Sequence, residues 1–136
     1  MTKYSAFGTV LELDGTPIVA IQNIGGPKLS TDTIDVTAHD SPGSWEEVIA
    51  TILRSGELSL DIEYDPAEAT HKNASGGLLY CFMQRSTNVY TMTLPDTGTS
   101  DWVFDGIVTG FEVDAAYDGA LTAAVTIKLT GQPTIP

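Results

Sequence analysis

The residues able to do chemistry are few and scattered. The two histidines, His39 and His71, stand far apart, the first in a polar stretch and the second in a segment that favours helix. Asp35, His39 and Asp40 are metal-ligand types. Asp35 and His39 share a strand face only if the strand runs that far, and no fourth ligand is spaced to complete a tetrahedral site. Solvated loop polars are the simpler reading. Asp61 and Glu63 form a carboxylate pair on one face of an alternating run. Such pairs serve acid–base catalysis when their surroundings push their pKa values apart, but no cleft of aromatic or polar groups flanks them, so a solvated strand face accounts for them better. Cys81 sits among Leu79, Tyr80, Phe82 and Met83 and reads as a small buried apolar residue, with no nucleophile motif linking it to a histidine. Gly25-Gly26-Pro27 lacks the lysine and helix of a P-loop, and Ser75-Gly76-Gly77 is too short a match. Trp45 and Trp102 suit a binding surface, a core or a subunit interface equally well. No catalytic, cofactor-binding or metal-ligating residue is assigned, and the chain is expected not to be an enzyme. A small acid-using hydrolase would need a concave site with a perturbed carboxylate, which no spacing here predicts.

The elements that would position a site are β-strands. At 136 residues, with 42% apolar content and mean hydropathy of +0.04, the chain is expected to form one domain, 1–136, around one core. Eighteen acidic residues against six basic ones give a net charge of −12. Lys3, Lys28, Arg54, Lys72, Arg85 and Lys128 are scattered singly. Tight duplex binding needs clustered cations that displace counterions from phosphate, so it is disfavoured. A single cysteine excludes an intrachain disulfide. Met1-Thr2-Lys3-Tyr4 lacks the apolar core of a signal peptide, and no apolar run approaches the roughly 20 residues of a membrane span. Cytoplasmic synthesis and no membrane partner are therefore expected, and the Asn73-Ala74-Ser75 sequon is a chance match.

Tyr4–Leu13 and Pro17–Ile24 read as strands about Asp14-Gly15, a dipeptide that tolerates the positive φ of a tight hairpin. Thr31–Ala38 is a third, β-branched strand, followed by an exposed polar loop over His39–Ser44. Trp45–Arg54 places Trp45, Val48, Ile49 and Ile52 at near-helical spacing; a short helix and an irregular extended arm both fit. Glu57–Tyr64 alternates cleanly, with Leu58, Leu60, Ile62 and Tyr64 opposite Glu57, Ser59, Asp61 and Glu63. Helix is favoured over Ala67–Asn73 and Gly77–Arg85, with Leu78, Leu79, Phe82 and Met83 as its apolar stripe. Val89–Leu94 is a strand. From Asp101 to Gly131 the chain writes a hairpin about Tyr117-Asp118-Gly119. Val103, Ile107, Phe111 and Val113 are expected on one side of its first strand, and Leu121, Ala123, Val125, Ile127 and Leu129 on one side of the second. The pattern predicts a mainly β fold, an antiparallel sandwich or partly closed barrel of about seven strands, with one flanking α-helix and a long loop.

Two phrases in order, Ile34-Asp35-Val36-Thr37-Ala38-His39-Asp40-Ser41 and Gly56-Glu57-Leu58-Ser59-Leu60-Asp61-Ile62-Glu63-Tyr64-Asp65-Pro66, resemble the tail tube proteins of long, non-contractile-tailed bacteriophages. Phe104-Asp105-Gly106-Ile107-Val108-Thr109-Gly110-Phe111 resembles a late strand of that family, with Val125–Gly131 as its partner. The resemblance implies a structural virion protein that self-assembles into stacked, hexameric rings forming a tube through which DNA is delivered. Implied partners are other copies of the chain, a tape-measure protein, tail terminator and tail-tip proteins, and double-stranded DNA passing without tight binding; no cofactor is implied. It further implies an inter-ring loop at Asp40, Ser41, Pro42, Gly43, Ser44, Trp45, Glu46 and Glu47. Asp61, Glu63, Glu112 and Asp114 are the acids expected to face the lumen, where negative charge would keep a polyanion from sticking. The alternative is a non-polymerising all-β tail-tip or decoration module.

Overall fold

A computed structural model describes residues 1–136. Nine strands form: β1 (Val10–Leu13), β2 (Thr16–Pro17), β3 (Ile21–Gly25), β4 (Ser30–Asp35), β5 (Val48–Arg54), β6 (Glu57–Glu63), β7 (Thr87–Thr93), β8 (Asp101–Ala115) and β9 (Leu121–Thr134). One helix, α1 (Leu78–Gln84), precedes β7. Seven strands make an antiparallel sheet in the order β2-β1-β7-β8-β9-β6-β3, and β4 and β5 pair separately.

The large sheet curls into a half-barrel, and its connectivity explains why. β2 and β3 occupy opposite edges, yet only Ile18, Val19 and Ala20 separate them in sequence. Four residue steps reach at most about 14 Å, whereas seven flat strands would span about 29 Å. The edges must therefore come together. This short strap is fixed from both directions. Ile18 N–H donates to the Leu11 carbonyl at 2.9 Å, and Glu63 N–H donates to that of Ala20 at 2.9 Å. Val19 N–H donates to Thr70 Oγ1 at 3.3 Å, while its carbonyl lies 2.7 Å from His71 Nε2. His71 is fully buried, and its Nδ1 accepts from Asp65 N–H at 3.3 Å. Since Nδ1 accepts, Nε2 carries the proton and donates to Val19. The predicted Pro17–Ile24 strand is thus two pieces, broken where Ala20 takes a φ of 61° and the chain changes edge.

Inside the curl, Leu11, Leu13, Leu58, Leu60, Ile62, Tyr90, Met92, Phe104, Val108 and the β9 residues Ala123, Val125, Ile127 and Leu129 form the core, closed by Leu78 and Cys81 of α1. Cys81 is the buried apolar residue expected of it. Asp14-Gly15 makes the expected positive-φ turn, with φ of 48° and 86°. Asp14 also ties that turn to β7, accepting from Val89 N–H and from Asn88 Nδ2 at 3.1 and 2.8 Å.

Four sequence-based expectations are corrected. The Tyr4–Leu13 strand begins only at Val10. Trp45–Arg54 is not the short helix its spacing allowed: Val48–Arg54 is an extended strand paired with β4, with a register shift between Thr31 and Thr33. Residues 67–73 form turns, so the helix is confined to Leu78–Gln84, and its buried side is Leu78 and Cys81 while Phe82 and Met83 are exposed. On β8 the core face is Phe104, Gly106 and Val108, not Val103 and Ile107. A register shift between Val108 and Gly110 then reverses the parity, placing Phe111 opposite Val125 and Val113 opposite Ala123 on the core side. A β-bulge is invisible to period-2 reading because the residue types on both sides of it remain strand-like.

The strap generates a stability test. Replacing His71 with Leu keeps most of the volume but removes both hydrogen bonds, leaving the partly covered Val19 carbonyl and Asp65 N–H without these partners, a loss of about 1–3 kcal/mol. The expected result is a Tm lower by roughly 3–10 °C in a circular-dichroism melt. A melt indistinguishable from that of the parent protein would show that the strap is held by other contacts.

Candidate assembly surface

Directly opposed residues of antiparallel strands project to the same face, so the register places the acidic residues. Asp61 on β6 opposes Ala124 on β9, which opposes Glu112 on β8. One row further along, Glu63 opposes Thr122, which opposes Asp114. The four acids named from sequence therefore lie in two adjacent rows on the face away from the core, and all four are exposed. A shallow concavity there is lined by Asp61, Glu112 and Asp114 together with Gln22, Asn23 and Thr122. Gln22 Nε2 donates to Glu63 Oε1 at 3.1 Å. The same face also carries Glu57 opposite Lys128, and Asp105 opposite Thr130, which sequence reading had not singled out. Glu57 follows from the alternation of β6, whereas Asp105 joins Glu112 and Asp114 on this face only because of the bulge on β8.

This arrangement does no catalysis by itself. The carboxylates are open to solvent, with no enclosed cleft, no nucleophile and no cationic group set between Asp61 and Glu112. What it produces is a patch of four carboxylates on the outer face of a curled, hydrogen-bonded sheet, with Lys128 at its far end.

The second surface is the arm formed by β4 and β5. Every β5 residue is exposed. Ile34 opposes Ile49 on one face, while Val48, Ala50 and Leu53 pair with Asp35, Thr33 and Thr31 on the other. Leu53 is 83% exposed and Ile52 58%. Both faces leave large apolar side chains in solvent, and a lone two-stranded hairpin is marginally stable. The arm's base is tight: Gly26 packs against the Glu57 backbone and Gly56 against that of Lys28, each at positive φ, so no side chain fits between the crossing chains.

The Asp40–Glu47 segment caps the arm. Pro42–Ser44 makes a single 3-10 turn, and Trp45 projects with 76% exposure. Ser41 departs from the expected open loop by being buried; its Oγ accepts from Ala38 N–H at 2.9 Å and donates to Glu47 Oε2 at 3.0 Å. Glu47 N–H donates to Thr37 Oγ1 at 2.8 Å. Asp35 Oδ1 accepts from Thr37 N–H at 2.8 Å, so this carboxylate is committed to the turn rather than grouped with His39 and Asp40. Hydrogen bonding from Thr37, its side chain first and its backbone N–H second, holds the Asp35 carboxyl below the usual aspartate range, as the Arg54 guanidinium, 2.7 Å away, does for Asp32.

Depressed carboxyl pKa values favour the folded arm above the ordinary aspartate pKa, and the benefit disappears as pH falls through the lower folded values. The Thr37 amide resonance should therefore titrate with a midpoint below 3.8 in an NMR pH series. A midpoint at or above that value would show that the Asp35–Thr37 bond does not persist in solution.

Comparison with known proteins now bears on both surfaces. No curated protein matches the sequence. Among solved structures, one from the virion of a native gene transfer agent particle superposes with a TM-score of 0.79 at 14% identity, covering 98% of this chain and 99% of that one. A chain of the tail of an empty gene transfer agent particle, refined with C6 symmetry, gives 0.76 at 15% identity, covering 98% and 99%. A chain from the sheath/tube terminator structure of an extracellular contractile injection system gives 0.76 at 11% identity, covering 100% and 98%. At these identities the likeness is one of fold. The family model described as lambda phage tail tube protein matches residues 5–136. That is nearly the whole chain, and the protein belongs to the lambda phage tail tube protein family, a structural component of the virion tail and not an enzyme.

Proposed function

We propose that six copies of this chain close into a ring, that rings stack into the tube of a non-contractile tail, and that double-stranded DNA passes down a lumen walled by the acidic face of the large sheet. The observation that carries this reading is the convergence of Asp61, Glu63, Glu112 and Asp114 on one solvent-facing patch of β6, β9 and β8. A negative wall repels phosphate and prevents the many weak contacts that would arrest a sliding duplex.

Free strand edges support ring formation. β7 covers β8 only as far as Ile107, leaving the outer edge of Val108–Ala115 without a strand partner. β6 reaches β9 only as far as Lys128, leaving Thr130–Thr134 open on the other side. An exposed edge is a template for another chain, and edges on opposite sides of one hairpin suit a head-to-tail contact that closes by rotation. Six-fold closure is taken from the C6 symmetry of the gene transfer agent tail, whose fold this chain shares. The Asp40–Glu47 tip, carried out on an apolar arm, is the contact between rings. A tape-measure protein filling the lumen before ejection, and terminator and tail-tip proteins at the tube ends, complete the partners. The sheath/tube terminator likeness favours one alternative, a ring that caps a tube without extending it; purified protein forming only single rings by negative-stain microscopy would select that alternative.

Two experiments test the proposal. Phage carrying Asp61→Lys, Glu63→Lys, Glu112→Lys and Asp114→Lys together should assemble tails of normal appearance but lose at least tenfold in infectivity, on the order of 1.4 kcal/mol or more in delivery-limiting free energy. Unchanged infectivity would remove these acids from the lumen. Deleting residues 41–47 should leave a folded, soluble protein that no longer forms stacks, and tubes of normal length from the deletion would assign the loop another role.

A further inference from the structure

The six basic residues are dispersed in sequence, but folding gathers half of them. Lys28, Arg54 and Lys128 line one shallow concavity at the base of the arm, with Gly25, Ser59 and Thr126. Lys28 comes from the β3–β4 connection, Arg54 from the end of β5 and Lys128 from β9, so no local motif announces the cluster. Arg54 is engaged by Asp32 at 2.7 Å, the one ion pair in the chain. Lys28 and Lys128 are exposed and have no carboxylate within ion-pair distance, although Glu57 lines the same hollow. In a chain of net charge −12, two uncommitted cations in one hollow are a local reversal of sign.

The arm's far end carries the complement. Asp40 and Glu46 flank the exposed Trp45 tip, and neither carboxylate is used in a hydrogen bond or ion pair. They cannot serve the hollow of their own chain. Arg54 marks the base of β5 and Val48 the end toward the tip, and seven extended residues separate base from tip by about 20 Å. The occupant must come from another molecule.

We propose that the basic hollow formed by Lys28 and Lys128 receives the acidic arm tip, Asp40 and Glu46, of a second copy of this chain. The inference rests on the tube-forming reading and adds to it the receiving site. A tip-to-base contact is heterologous: each copy offers a tip at one end and a hollow at the other, so the contact propagates as an open stack rather than closing as a pair. It gives the stack a direction. A free polyanion is the poorer fit, because Asp61 and Glu112, further along the same face, repel an extended phosphate backbone, while a short acidic finger meets only Glu57 beside the two lysines.

The test is a charge exchange, read by sedimentation and negative-stain microscopy of purified full-length protein. Lys28→Glu/Lys128→Glu places acid against acid, and Asp40→Lys/Glu46→Lys places base against base; each should cut sedimentable tubes at least tenfold while leaving the circular-dichroism melt unchanged. The quadruple variant restores opposite signs and should recover tubes to within about twofold of the parent protein. Normal tube formation by either double variant overturns the proposal, as does a quadruple variant that is folded yet unassembled. Retention of the parent protein on a short DNA duplex, lost in the Lys28→Glu/Lys128→Glu variant, would assign the hollow to nucleic acid instead. If the parent protein forms no tubes under any salt condition, the tube-forming reading itself fails, an outcome separate from tubes that ignore the charge exchange.

Discussion

The fold depends on a three-residue strap. Ile18–Ala20 leaves one edge of the seven-stranded sheet and enters the other, and so short a connection is compatible only with a curled sheet. The curl creates the enclosed concave side in which Leu60, Ile62, Tyr90, Val125 and Ile127 are buried. It equally creates the opposite face on which charge can spread without entering the core. His71 and Thr70 belong to the turns before α1, so bonding them to Val19 also fixes the segment that leads into the helix. One buried, neutral imidazole thus couples sheet closure to helix placement.

The two sheets solve opposite problems. In the large sheet, alternation, reset once by the bulge on β8, separates apolar from polar residues, so most of its hydrophobic demand is met within the chain. In the arm, Ile34, Ile49, Ile52 and Leu53 remain exposed on a hairpin that nothing else in the chain covers. The closed part has the character of a finished domain and the arm that of half an interface. Membership of the tail tube family supplies a physical reason for the difference, because a subunit of a tube must be stable alone and incomplete at its contacts.

Alternation made much of this readable. Glu57–Glu63 and Leu121–Leu129 have one apolar and one polar side, and both strands form with Leu58, Leu60, Ile62, Ala123, Val125, Ile127 and Leu129 buried, while Leu121 at the strand end stays exposed. Asp14-Gly15 identified its turn because few other dipeptides tolerate positive φ at both positions. Val48–Arg54 misled because exposed β-branched residues on both faces lack a period, and its spacing imitates a helix. The bulge near Thr109 misled in another way, since one extra residue moves Phe111 and Val113 to the core side without altering composition.

The sequence alone determined a β-rich chain with one helix, an excess of negative charge, no constellation suited to catalysis, and an ordered set of phrases resembling tail tube proteins. Those are properties of residue type and local order. Tertiary structure decided which charges stand together: four acids from β6 and β8 on one face, and Lys28 with Lys128 in one hollow. Side-chain neighbours across a sheet are set by strand order and register. Both depend on a strap, a bulge and a crossing of glycines whose effects act between residues distant in the chain.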